Sequence, residues 1–95
     1  MAKPVDLTKL SAAKLHVEIE KRDARASALL NATIQAGYGE TRHNTIVEMV
    51  RVGTAEQLLV DYVAAFNERQ AATNELDDRL RWHGSDKPIK RQLLA

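Results

Sequence analysis

Apolar residues recur at helical spacing along two long stretches of the chain. In residues 8–36 they stand three or four positions apart, the heptad-like pattern of a helix that packs along one side. The positions of this first stripe are Thr8, Ala12, Leu15, Ile19, Arg22, Ala26, Leu29, Thr33 and Ala36. Residues 54–83 carry a second stripe, made of Ala55, Leu59, Tyr62, Phe66, Arg69, Thr73, Leu76 and Leu80. No stretch alternates with a period of two, so the chain is predicted to be all-α.

Capping residues and glycines place the ends of the first helix. Thr8 or Ser11 is predicted as its N-cap, because a side-chain oxygen there can accept from the first free backbone N–H groups. The helix is predicted to run to Ala36 and to stop at Gly37, which suits the left-handed conformation that often follows a helix.

Gly53 divides the rest of the pattern. A short helix is predicted over residues 41–52, with Thr45 as an alternative start, and a third helix from Thr54 to residue 83, where Gly84 ends it. The alternative is one continuous helix that tolerates Gly53 at a cost of about 1 kcal/mol. The capping pattern on both sides of Gly53 favours two helices.

The two long helices are of similar length, and the connection between them is short. They are predicted to pack as an antiparallel pair with the short helix between them. Residues 1–84 are predicted to form this helical domain, and residues 85–95 a basic C-terminal tail.

A second surface is predicted on the third helix, beside its main stripe. It consists of Val60, Ala64, Asn67 and Ala71, whose spacing of four, three and four residues places them on one side of a helix. One partner helix cannot cover both sides of the third helix. The fold is therefore predicted to be completed by oligomerisation, as a homodimer or a higher symmetric oligomer.

The amino-acid composition also favours a fold that is completed by oligomerisation. The chain has 95 residues, 44% of them hydrophobic, and alanine is the commonest apolar residue. A chain of this size buries about 60–65% of its unfolded surface, so one copy would have a narrow core. This disfavours an enzyme with an enclosed pocket.

There is no cysteine, which excludes disulfide scaffolds and cysteine-ligated zinc and is typical of a reducing compartment.

Glu40 and His43 form a Glu-x-x-His pair, the spacing used by di-iron helical proteins. A complete site would need further carboxylates across a subunit interface, such as Glu18 or Glu75. An oligomeric di-metal carboxylate protein is therefore a remote alternative, and a first-turn glutamate beside a surface histidine is the simpler interpretation.

The sequence has neither a nucleophile elbow nor a glycine-rich phosphate loop. No catalytic residue, metal site or cofactor is predicted.

Arg22 and Arg69 occupy stripe positions where an apolar residue is expected. Either each stem lies along the seam with its charged end in water, or the arginines are buried and specify the register or the oligomeric state. The acidic residues close enough in sequence to act as counter-ions are Glu18, Asp23, Asp61 and Glu68.

The end of the third helix carries a compact set of residue types that dominate protein interfaces. The predicted partner-binding residues there and in the tail are Arg79, Leu80, Trp82, Lys87, Lys90 and Arg91. The competing interpretation of Trp82 is that its ring covers the end of the bundle beside Leu10 or Leu15.

These features together predict a non-catalytic helical module for protein–protein interaction: a small adaptor, regulator or inhibitor that binds itself as a homo-oligomer and another protein. The alternative is a nucleic-acid-associated regulator that uses two basic patches, Lys21, Arg22 and Arg25 near the start and residues 87–91 near the end. No apolar run approaches the ~20 residues of a membrane span. The protein is predicted to be cytoplasmic and to have no membrane partner.

Overall fold

A computed structural model describes residues 5–89. They form three α-helices, which we label α1 (Ala12–Thr33), α2 (His43–Arg51) and α3 (Gln57–His83), after a short 3₁₀ turn at Leu7–Lys9. Of these described residues 78% are helical and none is in a strand, which confirms the all-α prediction. None of the three helices has the length and apolar character that a membrane span requires.

Ser11 is the N-cap of α1, and its Oγ accepts a hydrogen bond from the Lys14 backbone N–H at 3.3 Å. Thr8, the other predicted start, lies in the 3₁₀ turn instead. At the far end α1 ends at Thr33, before the predicted end at Ala36, and is followed by one wider turn, Ile34–Tyr38, in which Gly37 has a φ of +102°, the left-handed conformation predicted for it. That turn changes the number of residues per helical turn, so Ala36 leaves the stripe and is exposed.

Gly53 separates α2 from α3, as the capping pattern predicts. Its φ is +80°, and its N–H donates to the Val50 carbonyl at 3.2 Å, while the Thr54 N–H donates to the Met49 carbonyl at 3.0 Å. This pair of bonds is a Schellman ending. The prediction that α3 starts at Thr54 is wrong, because the Thr54 N–H and hydroxyl both donate to the Met49 carbonyl at the end of α2. Helix α3 begins three residues later, at Gln57.

Gly53→Ala is expected to destabilise the protein by about 1 kcal/mol. An added Cβ would meet no atom within 4 Å, so the cost comes from the positive φ and not from a clash. Gly39→Ala is the matched control, because Gly39 has a φ of −59°, which alanine adopts readily. Urea unfolding of both variants measures the difference. Wild-type stability in Gly53→Ala would contradict the left-handed conformation at this position.

The main hydrophobic core lies where α2 packs against the first half of α3. Its buried members are Ile46, Leu59, Tyr62 and Val63. Partly buried residues packed around them are Leu29, Tyr38, Met49, Val50 and Ala55. Farther along, α1 packs on α3 through residues of the predicted first stripe, of which Leu15, Ala26 and Thr33 are buried.

The second half of α3 departs from its predicted stripe. Ala65, Ala72 and Arg79 are buried there at heptad spacing, whereas Leu80, predicted to lie on the seam, is 51% exposed. The physical reason is that Arg79 can be buried on this side of α3, because its guanidinium donates hydrogen bonds to the Leu7 and Leu10 carbonyls just before α1. The buried positions are therefore shifted by one residue from the expected stripe.

Candidate functional site

Arg79 is fully buried, and its guanidinium donates four hydrogen bonds. Its Nε donates to Glu75 Oε2, its Nη1 to the Asp86 carbonyl and its Nη2 to the carbonyls of Leu7 and Leu10, all at 2.9 Å. The sequence placed Arg79 on the partner-binding surface. In the structure its donors are used inside the chain, where they fasten the N-terminal turn and the segment after α3 to the helices.

Asp86 gives the segment after α3 a second attachment. Its Oδ2 lies 2.9 Å from Nε2 of His16 on α1. This hydrogen bond to His16 holds the pKa of the Asp86 carboxyl below its ordinary value. The start of the predicted C-terminal tail is thus bonded to both α1 and α3.

Acidification is expected to remove the contribution of Asp86. Because its folded-state pKa lies below the ordinary value of 3.8, the carboxylate stabilises the fold above that value, and the effect is lost as the pH falls through the lowered pKa. Asp86→Asn does not titrate, so it should lose less stability than wild type between about pH 5 and about pH 2.5. Urea midpoints across this range measure the difference. Identical pH dependence of the two proteins would contradict the link to His16.

Trp82 lies on the surface of α3 with 77% of its area exposed. The interpretation that its ring covers the end of the bundle beside Leu10 or Leu15 is therefore wrong. Leu80 is also exposed, but it lies on a different side of the helix, since two residues correspond to about 200°. Lys87 is exposed as well, whereas Lys90 and Arg91 lie outside the described residues.

The predicted oligomer surface is open in the single chain. Ala64, Asn67 and Ala71 are exposed and Val60 is partly buried. Helical spacing extends this surface, because residues 78 and 82 fall on the same side of α3 as residue 71. We call this surface the outer face of α3 and define it as Val60, Ala64, Asn67, Ala71, Asp78 and Trp82. Trp82, predicted as a partner-binding residue, thus lies on the same side of α3 as the predicted oligomer surface.

A groove of about 340 Å³ lies between the N-terminal segment and α1. We call it the α1 groove; its lining residues are Val5, Leu10, Ala13, Lys14, Val17, Glu18 and Lys21. Val17 is 53% exposed, and both lysines are exposed at the edge. Sequence analysis missed this groove. The available signal was the apolar character of Leu10, Ala13 and Val17, which are not part of the stripe of α1.

His43 is held in an aromatic cluster rather than in a ligand set. Its Nδ1 lies 3.1 Å from the Tyr62 hydroxyl, and its ring centroid lies 4.3 Å from that of Phe66. Glu40, the other member of the Glu-x-x-His pair, is exposed. Within residues 5–89 no three histidine or acidic side chains are arranged to hold a metal ion.

Arg22 and Arg69 both lie at the edge of the α1–α3 seam, with 16% and 34% of their side chains exposed. Arg22 donates to Glu18 at 3.0 Å and to the Glu68 carbonyl at 2.8 Å. Arg69 lies 3.8 Å from Asp23 and stacks over the Phe66 ring at 4.8 Å. Two of the four predicted counter-ions, Glu18 and Asp23, thus pair with these arginines, whereas the Glu68 carboxylate pairs with Arg25 and Asp61 accepts from Gln57.

These contacts also change the predicted basic patch near the start of the chain. Arg22 pairs with Glu18, and Arg25 lies 3.8 Å from the Glu68 carboxylate. Of the three patch residues, Lys21 and Arg25 are exposed, and Lys21 lies at the α1 groove. The positive charge that this patch could offer to phosphate is therefore partly balanced within the chain.

We compared the chain with models of protein families, with curated proteins and with solved structures, and none of the three comparisons finds a match.

Proposed function

We propose that the protein is a non-catalytic helical module for protein–protein interaction, a small adaptor, regulator or inhibitor that acts as a homo-oligomer. The observation that carries this proposal is the exposure of Trp82 on the outer face of α3. Tryptophan is among the residues most enriched at interface hot spots, and a large exposed aromatic ring is costly to keep in water.

The packing of the two long helices supports the proposal. Arg79 near the end of α3 bonds the carbonyl of Leu10 just before α1, and Arg22 in the middle of α1 bonds Glu68 in the middle of α3. This order of contacts supports an antiparallel pair. Such a pair leaves the outer face of α3 and the α1 groove on the surface, where a further chain can cover them.

The polar contacts of the described region also fit a binding protein. Arg79 and Asp86 join the chain segments to one another, and His43 packs in the aromatic cluster with Tyr62 and Phe66. Each of these groups has a structural role in holding the helices. The exposed apolar side chains of Trp82, Val17 and Val5 are available instead to the apolar centre of an interface.

A nucleic-acid-associated regulator is the second candidate, favoured by the exposed Lys14, Lys21 and Lys87. The two functions differ in their response to salt. Affinity that depends on phosphate contacts falls steeply between about 50 and 200 mM salt, whereas association through an apolar face does not.

Light scattering at micromolar concentration tests the proposal. We expect a mass of at least twice the 10.6 kDa of one chain at both salt concentrations. A 10.6 kDa particle would contradict self-association.

The companion measurement is binding of a mixed-sequence DNA duplex. Tight binding at about 50 mM salt that disappears at about 200 mM would favour the nucleic-acid function instead.

A further inference from the structure

We infer that Trp82 of one copy fills the α1 groove of a second copy, in a two-fold symmetric dimer in which each copy gives one tryptophan and receives one. This inference rests on the proposed self-association and specifies its interface. The structure offers both halves of the contact within one chain: an exposed indole on α3 and an open apolar groove lined by the N-terminal segment and α1.

The groove and Trp82 lie at the same end of the bundle. The Leu10 carbonyl accepts from Arg79 at 2.9 Å, so the Leu10 end of the groove is level with the last turns of α3. Trp82 lies three residues, or about 4.5 Å, beyond Arg79 along α3. A two-fold axis parallel to the long helices leaves the position of each residue along that direction unchanged. It therefore brings Trp82 of one copy beside Leu10 of the other.

The two surfaces also open toward the same side of the helix pair. Arg25 and Glu68 approach each other at 3.8 Å across the edge of the seam. Lys21 lies one turn before Arg25, and Ala71 lies one turn after Glu68, each on the same side of its helix. Two copies can therefore stack through this side. The outer face of α3 then lies against α1 of the second copy.

The size and the apolar lining of the groove match a tryptophan side chain. The groove has a volume of about 340 Å³ and apolar walls from Val5, Leu10, Ala13 and Val17, which suit an indole. A tryptophan is among the aromatic side chains that bury about 150–250 Å² each. Toward the middle of α3 the outer face carries Ala64 and Ala71, whose small side chains allow a neighbouring helix to approach closely.

The charges are complementary as well. Asp78 is exposed one turn before Trp82, and Lys14 is exposed on the groove edge in the first turn of α1. When Trp82 enters the groove, Asp78 comes toward Lys14 of the second copy. The acidic residue of the groove, Glu18, already accepts a hydrogen bond from Arg22 at 3.0 Å, so it opposes Asp78 little. The two-fold axis gives the dimer two Asp78–Lys14 contacts.

Trp82→Ala tests the contact, with Leu80→Ala as the matched control. Both residues are exposed apolar side chains at the end of α3, but Leu80 lies on a different side of the helix. We expect Trp82→Ala to raise the dimer dissociation constant at least about 30-fold and Leu80→Ala to change it less than about threefold. Sedimentation equilibrium measures both. Equal effects of the two variants would overturn the inference.

A charge exchange tests the same contact without removing the ring. Lys14→Asp and Asp78→Lys are each expected to weaken the dimer about fivefold, and the double variant should return to within about twofold of wild type. Additive weakening in the double variant would show that the two residues do not face each other. That outcome would overturn the inference too.

The results separate this inference from the proposed function. A wild-type dimer that tolerates Trp82→Ala and shows no coupling between Lys14 and Asp78 contradicts the groove contact but leaves self-association in place. A wild-type monomer at micromolar concentration contradicts both.

Discussion

Arg79→Ala is expected to lower the free energy of unfolding by about 3–5 kcal/mol, the cost of removing one partner of a buried ionic contact. The variant loses the donor that serves the Glu75 carboxylate and three backbone carbonyls, two of them in the N-terminal segment. A small domain has about 5–15 kcal/mol of total stability, so the loss is a large part of it. The N-terminal turn and the segment after Gly84 should become accessible to proteolysis first.

Arg81→Ala is the matched control for Arg79→Ala. It removes the same charge one half-turn away, from an exposed position. Its effect is expected to stay within about 0.5 kcal/mol. Urea unfolding of the two variants provides the comparison, and a loss of less than about 1 kcal/mol in Arg79→Ala would show that the buried hydrogen bonds do not hold the termini.

Leu59→Asp is expected to unfold the protein, whereas Ala64→Asp should leave each chain folded and break the oligomer. Leu59 has no exposed surface and belongs to the core cluster with Ile46 and Tyr62, so a carboxylate there would be buried among apolar side chains. The expected cost exceeds about 4 kcal/mol. Ala64 is exposed on the outer face of α3, and the change should cost a folded chain about 1 kcal/mol or less.

Circular dichroism and light scattering together distinguish these two results. Leu59→Asp should lose most of its helical signal, and Ala64→Asp should keep the signal while its mass falls to one chain. If both variants unfold, or if both remain folded oligomers, the assignment of a core side and an interface side to α3 is wrong.

Local signals in the sequence predict most of the helix boundaries. Ser11 caps α1 with a hydrogen bond from the Lys14 N–H, and Gly53 and Gly84 end α2 and α3 with positive φ angles. Each of these signals involves residues only a few positions apart. The stripe of α1 is also correct over most of its length, because Leu15, Ala26 and Thr33 are buried.

The second half of α3 could not be predicted from the same signals. Heptad patterns assign apolar residues to the seam, which favours Leu80 over Arg79. Arg79 is buried because its guanidinium bonds the carbonyls of Leu7 and Leu10, which precede it by 72 and 69 residues. No local pattern in the sequence records such a contact. Only the fold brings those carbonyls to α3.

The α1 groove was missed for a related reason. Its apolar residues are visible in the sequence, but they are few and lie off the stripe of α1. The groove exists because the N-terminal segment, held by Arg79, places Val5 beside Leu10 and Val17. The exposure of Trp82 likewise depends on how α3 packs against α1, which local signals in the sequence do not specify.

The fluorescence of Trp82 tests the central claim, that the exposed face of α3 is a self-association surface, most directly. Trp82 is the one tryptophan of the chain, so the emission reports its surroundings alone. We expect the emission to shift to shorter wavelength, and quenching by acrylamide to decrease, as the protein concentration rises through the dimer dissociation constant. Emission typical of a water-exposed indole at every concentration, in a sample whose mass shows a dimer, would contradict the claim.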